Sequence, residues 1–221
     1  MQVGPTLNNL FGKAFVKNLK RSTERRNNIE AQCRQVDLQY EIFEAVDGKL
    51  HVNADFTIMH GPYFLQYPSS AGYIGCQMTF HNIISHAIKN KYEKIMILDD
   101  DCQFHHTLNA DKSILSDLEH DVPKDWDVII LGDMYGEEIA NQKVSYHKCQ
   151  IHGEAAGSHG LAINSSVYED LLSVLSGTSF LGDGVIGRMI DIKKNVYKIM
   201  PSICTQDRKI FSDINEMHHT Y

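Results

Sequence analysis

The chain has 221 residues, 43% of them hydrophobic, which is enough to bury the core of one domain. A formal net charge of −7 argues against a protein that binds duplex nucleic acid, since such a protein needs a basic face. The five cysteines are odd in number and never spaced C-x-x-C, so neither a disulfide framework nor a structural zinc site is expected.

The sequence carries no visible targeting or membrane pattern. Its start lacks a basic stretch followed by an apolar one, as a signal peptide has. No run approaches the roughly 18 apolar residues that a membrane span needs. We therefore expect no transmembrane segment and a cytoplasmic protein, unless the chain was trimmed from a longer one.

Short apolar runs alternate with helical patterns, which is typical of βαβ units around a mainly parallel sheet. A first strand is predicted over residues 14–16, and a helix capped by Ser22 follows to about Arg34. A second strand, 40–46, ends at the turn signal of residues 47–48. Together these segments predict the first unit of an α/β fold.

The middle and last parts of the chain continue this alternation. A loop is predicted over 49–71, a helix from Ile74, and buried strands at 95–98 and 127–131. A capping box formed by Ser166 and Glu169 predicts a further helix that ends at Gly177. A helix at 184–192 and a strand at 196–200 complete the predicted core.

Three consecutive carboxylates, Asp99, Asp100 and Asp101, follow the most hydrophobic strand. Their mutual repulsion beside a low-dielectric core destabilises the fold unless a cation or hydrogen bonds offset it. In an extended chain Asp99 and Asp101 point one way and Asp100 the other, as in a D-x-D site. Ligands of open α/β sheets bind beyond the carboxyl ends of the strands, and all-oxygen ligands suit Mg²⁺ or Mn²⁺. A solvated acidic turn is the alternative.

Short motifs that include the acidic cluster are spread along most of the chain: VKNLKRSTERR from Val16, AVDG at 45–48, GYIGC at 72–76, LDDD at 98–101, WDVIILG at 126–132, GSHGLAINSSVYEDLL at 157–172 and SDI at 212–214. Together they resemble glycosyltransferase family 25, which includes lipopolysaccharide-type and collagen-type galactosyl- and glucosyltransferases. Two positions depart from the family pattern. Asp99 replaces a glutamate, and His81 lies one place later than the family's histidine.

The resemblance implies an α/β, GT-A-like fold in which a single domain, 1–221, has a mainly parallel central sheet and flanking helices. It also implies a UDP-sugar donor held with Mn²⁺ or Mg²⁺ by Asp99 and Asp101. For the nucleoside, the resemblance implies Asn18 and Leu19 near the base and Asp47 and Gly48 in the nucleotide pocket. Arg25 or Arg26 would lie near the charged groups of the donor. Asp100 and Ser212 are further donor-site residues, and Gln206 would lie at the metal or the phosphates. The arginines are also well placed on an early helix whose N-terminus could face phosphate, although a solvated helix face is the alternative.

An inverting transferase needs a carboxylate that takes the proton of the acceptor hydroxyl. We nominate Asp183, which lies among glycines and matches an aspartate of the family, with Glu154 as the second choice. A helix N-cap is the structural alternative for Asp183. The pairs His105–His106 and His218–His219 could complete a metal shell. Adjacent histidines that have no other ligand residues at metal-site spacing are usually solvated, however.

The sequence thus predicts a metal-dependent hexosyltransferase that uses a UDP-sugar and acts on a glycan or on a glycosylated or hydroxylated protein, with no nucleic-acid partner. Two alternatives stay open. One is a catalytically inactive sugar-nucleotide-binding module on the same fold. The other, less favoured, is a D-x-D phosphatase or phosphotransferase with Asp99 as nucleophile. Such enzymes place that strand first and have threonine where this chain has Gln103.

Overall fold

The computed structural model describes residues 4–50, 70–111, 113–133, 143–177 and 182–207. The strands in these ranges are β1 (Lys13–Asn18), β2 (Tyr40–Glu44), β3 (Lys94–Asp99), β4 (Cys102–Phe104), β5 (Val128–Ile130), β6 (Ser145–Lys148), β7 (Gly160–Asn164), β8 (Val196–Met200) and β9 (Cys204–Gln206). The α-helices are α1 (Leu7–Phe11), α2 (Thr23–Gln35), α3 (Ser70–Asn90), α4 (Thr107–Ala110), α5 (Ser113–Asp121), α6 (Tyr168–Gly177) and α7 (Gly182–Asp191). Short 3₁₀ helices lie at Gly48–Leu50, His152–Glu154 and Ser165–Val167.

Seven strands form one sheet in the order β2-β1-β3-β7-β5-β8-β6, and β4 pairs with β9 in a separate sheet. β1 runs parallel to β2 and β3, and β5 runs parallel to β8. β7 runs antiparallel to β3 and β5, and β6 runs antiparallel to β8. Strands β1, β2, β3, β5 and β8 therefore share one direction, which confirms the mainly parallel sheet of an α/β fold.

The central strands are buried on both faces of this sheet. In β3, Met96 and Leu98 pack on one face with α1, α2 and α5, while Ile95 and Ile97 pack on the other with α3, α6 and α7. Successive side chains of a strand point to opposite faces, so a continuous apolar run supplies both. The result is a sheet between two helical layers. Within the described ranges, no helix combines the length and apolar character that crossing a bilayer requires.

Most predicted elements are present with slightly different bounds. The strand at 196–200 has its predicted limits, whereas the helix expected from Ile74 begins earlier, at Ser70. The predicted loop 49–71 lies mostly outside the described residues. Helix α2 starts after Ser22 as predicted, but the Ser22 side chain makes no capping hydrogen bond.

The capping box predicted for Ser166 and Glu169 is wrong. Asn164 is the N-cap, and its side chain accepts a hydrogen bond from the backbone N–H of Ser166 at 3.2 Å. The Ser166 hydroxyl instead donates to Asp127 at 2.7 Å. A 3₁₀ turn precedes α6, so the chain enters the helical conformation earlier than the sequence pattern indicates.

Strand pairing decides which residues meet at the edge of the sheet. Because β1 and β3 are parallel neighbours, their carboxyl ends lie side by side, with Lys17 opposite Asp99. The antiparallel pairing of β4 with β9 places Gln206 opposite Cys102, the residue that follows Asp101. Segments far apart in sequence therefore converge on the acidic cluster.

Candidate functional site

A cleft of about 770 Å³, including its solvent-open mouth, lies at the carboxyl ends of β1 and β3. Its walls come from the β1 end, the start of α2, residues 45–49, the first turns of α3, and the acidic cluster. The predicted site residues that line it are Leu19, Arg25, Asp47, Gly48, Asp99, Asp100, Asp101 and Gln206. The topology therefore brings most of the predicted donor-site residues together.

The three carboxylates do not follow the alternation of an extended strand. β3 ends at Asp99, and residues 100 and 101 form a turn before β4. As a result Asp100 and Asp101 both lie near the guanidinium of Arg25 rather than on opposite sides. The prediction that Asp100 points away from Asp101 is wrong, because the backbone turns one residue after the strand ends.

Arg25 and Asn18 hold the carboxylate of Asp100. Arg25 Nε donates to Asp100 Oδ1 at 2.7 Å, and a second guanidinium nitrogen contacts the same oxygen. Asn18 Nδ2 donates to Asp100 Oδ2 at 2.7 Å. Burial raises the pKa of Asp100 to about 6, although Arg25 and Asn18 act in the opposite direction. The energetic cost of this buried carboxylate is therefore only partly offset.

Asp101 is also buried, and only one of its oxygens is satisfied. Gln206 Nε2 donates to Oδ2 at 2.9 Å, and Arg25 Nη2 contacts the same atom at 3.2 Å. Among the described residues, Oδ1 has no hydrogen-bond partner. Burial and the neighbouring charge of Asp99 raise the pKa of Asp101. This side chain thus presents an unpaired carboxylate oxygen within the cluster.

Lys17 is a site residue that the sequence analysis missed. Its ammonium lies 2.6 Å from Asp99 Oδ1, and the residue is only 7% exposed. Burial is the largest single effect and disfavours the ammonium, but the charge and hydrogen bond of Asp99, with Cys76 and Asp101 nearby, together outweigh it and raise the pKa of Lys17. A lysine directly after the apolar run AFV was the signal that could have found it, because buried lysines in proteins are almost always paired.

A second buried pair lies beneath the acidic cluster. The His159 backbone oxygen accepts a hydrogen bond from the Asp99 N–H at 2.9 Å, so the two segments are joined directly. A hydrogen bond with Cys102 and contact with His159 lower the pKa of Cys204 to about 6. Burial opposes protonation of His159, but Cys204 and the nearby aspartates raise its pKa to about 9.

The wall formed by residues 45–49 packs closely on the start of α3. A Cβ on Gly48 or Gly75 would clash with backbone atoms of the facing segment, so only glycine permits this approach. Asp47 pairs with Arg21 across the mouth of the cleft. Leu19 and Gly48 also line the cleft. Its lining therefore includes apolar surface beside the carboxylate of Asp47 and the guanidinium of Arg21.

Other predicted residues lie elsewhere. Arg26 pairs with Glu30 at 2.8 Å on the exposed face of α2 and does not line the cleft. Glu154 accepts hydrogen bonds from the backbone N–H groups of Gln150 and Ile151, as a capping residue does, and these bonds lower its pKa. Asp183 belongs to the first turn of α7, but its side chain lies outside the described part of the structure, and so does Ser212.

Of the histidine pairs, His105 and His106 stack on each other with ring centroids 4.4 Å apart, and His105 Nδ1 lies 2.7 Å from the Thr107 hydroxyl. Neither lines the cleft. His218 and His219 lie outside the described residues.

Comparison with known proteins places these features in context. A family model described as glycosyltransferase family 25 (LPS biosynthesis protein) matches residues 11–167. Human procollagen galactosyltransferase 2 is 26% identical over 129 residues, which cover 55% of this chain and 21% of that protein. A glycosyltransferase 25 family member of Drosophila pseudoobscura pseudoobscura is 34% identical over 98 residues, covering 41% of this chain and 16% of that protein. The chain thus spans only 21% and 16% of the lengths of these two relatives.

A solved structure extends the comparison to the fold. A glycosyltransferase involved in the glycosylation of the major capsid of PBCV-1 superposes with a TM-score of 0.52. The match covers 92% of this chain and 95% of that one, at 9% sequence identity. At this identity the likeness concerns the fold alone.

Proposed function

The chain belongs to glycosyltransferase family 25, and on that premise we propose that it transfers a hexose from a UDP-sugar to an acceptor hydroxyl. The observation that carries the proposal is the cleft in which the carboxylates of the acidic cluster, basic side chains that include Lys17 and Arg25, and the start of a long helix meet. We further propose that residues 1–221 form one GT-A-like domain.

Asp99 and Asp101 are the proposed ligands of Mn²⁺ or Mg²⁺. Asp101 Oδ1 is buried and has no hydrogen-bond partner among the described residues, and such an atom is stabilised when it binds a cation. The Asp99 side chain is 24% exposed, and Asp99 lines the same cleft. These features fit a hard cation with oxygen ligands. A cation held there stabilises the charge of the departing nucleoside diphosphate.

Other groups would orient this site and the diphosphate. Gln206 donates its amide hydrogen to Asp101 and so fixes the direction of that carboxylate. The start of α3 lines the cleft through Ala71 and Gly72. A helix N-terminus offers free N–H groups and a positive dipole end to phosphate. Arg25 adds a guanidinium at the opposite wall.

The nucleoside is proposed to lie against Leu19, Asp47 and Gly48, whereas Asn18, expected near the base, does not line the cleft. Leu19 and Gly48 give the apolar surface on which a base can pack, and Asp47 can accept hydrogen bonds from ribose hydroxyls. The side chain of Asn18 is buried and donates to Asp100, so its contribution is to position that carboxylate. Arg26 points away from the cleft, and Arg25 is therefore the arginine we assign to the donor.

We keep Asp183 as the proposed general base of an inverting reaction, in which it takes the proton of the acceptor hydroxyl. Its backbone lies in the first turn of α7. Glu154 is the weaker choice, because its carboxylate already accepts two backbone hydrogen bonds and its pKa is lowered. The acceptor is proposed to be a glycan or a glycosylated or hydroxylated protein. Because a relative is named a procollagen galactosyltransferase, UDP-galactose is the first donor to test and UDP-glucose the second.

Thermal denaturation with sugar nucleotides tests this function directly. UDP-galactose or UDP-glucose with Mn²⁺ at one hundred times the dissociation constant should stabilise the fold by about 2.7 kcal/mol, or about 5–10 °C for a chain of this size. GDP-mannose with Mn²⁺ and UDP-sugars with EDTA are the controls and should give smaller shifts. Slow transfer of the hexose to water, which releases UDP and free hexose, should be measurable when Mn²⁺ is present and no acceptor is added. No response to any sugar nucleotide would refute the proposal, and binding without turnover would identify an inactive sugar-nucleotide-binding module.

A further inference from the structure

The ammonium of Lys17 occupies an unusual position for a lysine. It lies at the carboxyl end of β1, lines the cleft, and contacts Asp99 Oδ1 at 2.6 Å. Its other close neighbour is the Cys76 sulfur on α3, at 3.7 Å. With 7% of the residue exposed, this ammonium cannot be solvated as a surface lysine is, and so it depends on the anion beside it.

Among the described residues, the acidic cluster contains more carboxylates than paired cationic side chains. Asp99, Asp100 and Asp101 are three carboxylates, and in this part of the chain Lys17 and Arg25 are the cationic side chains that form ion pairs with them. When all three carboxylates are ionised, the cluster therefore carries one excess negative charge.

Lys17 and a divalent cation would compete for the same carboxylate. Asp99 is a proposed metal ligand, yet one of its oxygens is already committed to Lys17. A cation bound to Asp99 and Asp101 would place two positive charges close to the buried ammonium, and their repulsion weakens metal binding. An anion that reaches Lys17 would remove this penalty. A diphosphate lying in the cleft is such an anion.

We propose that the ammonium of Lys17 exchanges one anionic partner for another. Without a donor it pairs with Asp99. When Asp99 binds a metal ion, the ammonium pairs with the diphosphate of the donor instead. This inference rests on the proposed function and adds to it the order of events at the site. Metal ion and nucleoside diphosphate should each strengthen the binding of the other, because only together do they satisfy both Asp99 and Lys17. By linkage, the coupling is the same in both directions.

The proposal predicts opposite effects of one substitution on two measurements. Lys17→Met removes the charge and keeps an unbranched side chain. Binding of Mn²⁺ alone should become at least about tenfold tighter, because Asp99 loses its competitor. The factor by which UDP strengthens Mn²⁺ binding, expected to exceed about tenfold in the unmodified protein, should fall toward unity. A merely structural lysine would weaken both or change neither.

Two further variants control for charge and for folding. Lys13→Met removes a lysine from the other end of the same strand, where it pairs with Glu41 at 3.1 Å on the surface, and should leave Mn²⁺ binding unchanged. Lys17→Arg keeps the positive charge and should retain strong coupling between Mn²⁺ and UDP. Circular dichroism checks that each variant is folded. If Lys17→Met does not fold, Lys17→Gln tests the same loss of charge while keeping a hydrogen-bond donor for Asp99.

Titration of free Mn²⁺ by electron paramagnetic resonance, with and without UDP, measures these affinities without any turnover. Tighter Mn²⁺ binding by Lys17→Met, together with reduced coupling to UDP, supports the proposal. Equal or weaker binding by Lys17→Met, when the unmodified protein binds Mn²⁺ with UDP, overturns the role of Lys17 and leaves the proposed function intact. Absence of Mn²⁺ binding by the unmodified protein even with UDP overturns both.

Discussion

Asp101→Asn replaces one oxygen of a buried carboxylate by an amide nitrogen and removes one negative charge from the acidic cluster. Oδ2 accepts hydrogen bonds from Gln206 at 2.9 Å and Arg25 at 3.2 Å, and an asparagine oxygen can accept both. The amide nitrogen would then take the place of Oδ1, which has no hydrogen-bond partner among the described residues. The substitution should therefore preserve the fold while removing a proposed metal ligand.

The two effects of Asp101→Asn have opposite signs. Burial and Asp99 both disfavour the charged form of Asp101, and asparagine carries no charge. Removing this charge should stabilise the metal-free protein by about 1–2 kcal/mol, which raises its melting temperature by about 2–8 °C. Loss of a metal ligand should reduce turnover of a UDP-sugar by at least about 100-fold, equivalent to about 2.7 kcal/mol of transition-state stabilisation.

Melting temperature in EDTA and initial rates of UDP release with Mn²⁺ measure the two effects on one preparation. Asp37→Asn is a matched control, because Asp37 is exposed at a φ of 54°, a conformation that asparagine adopts readily. It should change neither quantity. Turnover near that of the unmodified protein and still sensitive to chelator would refute Asp101 as a metal ligand. A lower melting temperature in EDTA would refute the argument that its charge is destabilising.

Three further outcomes are expected. Asp183→Asn should leave UDP-sugar affinity unchanged yet reduce transfer by about 10²–10⁴-fold, as loss of a general base does, when binding and turnover are measured together. The raised pKa of Asp100, about 6 against an ordinary 3.8, means that its contribution to stability is present below pH 3.8 and is lost as the pH rises through 6. Urea denaturation in EDTA should therefore show the unmodified protein losing up to about 3 kcal/mol relative to Asp100→Asn between pH 4 and 7. Cys76 is the one cysteine of the five that is not buried and it lines the cleft, so UDP with Mn²⁺ should slow its alkylation by iodoacetamide, followed by mass spectrometry.

Each of these expectations has a result that contradicts it. Normal transfer by Asp183→Asn would make that residue structural, and lost donor affinity would place it in the donor pocket. A pH-independent difference between the unmodified protein and Asp100→Asn would mean that Asp100 keeps its ordinary pKa. Alkylation of Cys76 at an unchanged rate under saturating UDP would place the nucleotide outside this cleft, and Cys76→Ser checks that the signal comes from this thiol.

Much of the fold follows from local sequence patterns. The apolar run 95–98 predicted a strand buried on both faces, and β3 has that environment. The strand at 196–200 was predicted with its observed bounds. The family and the GT-A-like α/β fold, both inferred from short motifs in order along the chain, are confirmed. Short elements such as β4 and β9 were not predicted. A strand of three residues is too short to show a recognisable alternation of apolar and polar residues, and it is identified only by its pairing with another strand.

The sequence by itself determined that three carboxylates follow a buried strand, because a continuous apolar run and the residues after it are local properties of the chain. It could not determine which cations neutralise them. Lys17 meets Asp99 because β1 and β3 are parallel neighbours in register, and Gln206 meets Asp101 because β9 pairs with β4 across the rest of the chain. The rule that successive side chains of a strand point to opposite faces also failed here. The backbone turns after Asp99, so Asp100 and Asp101 both contact Arg25. Charge partners depend on strand order and register, which are settled only when the whole chain packs.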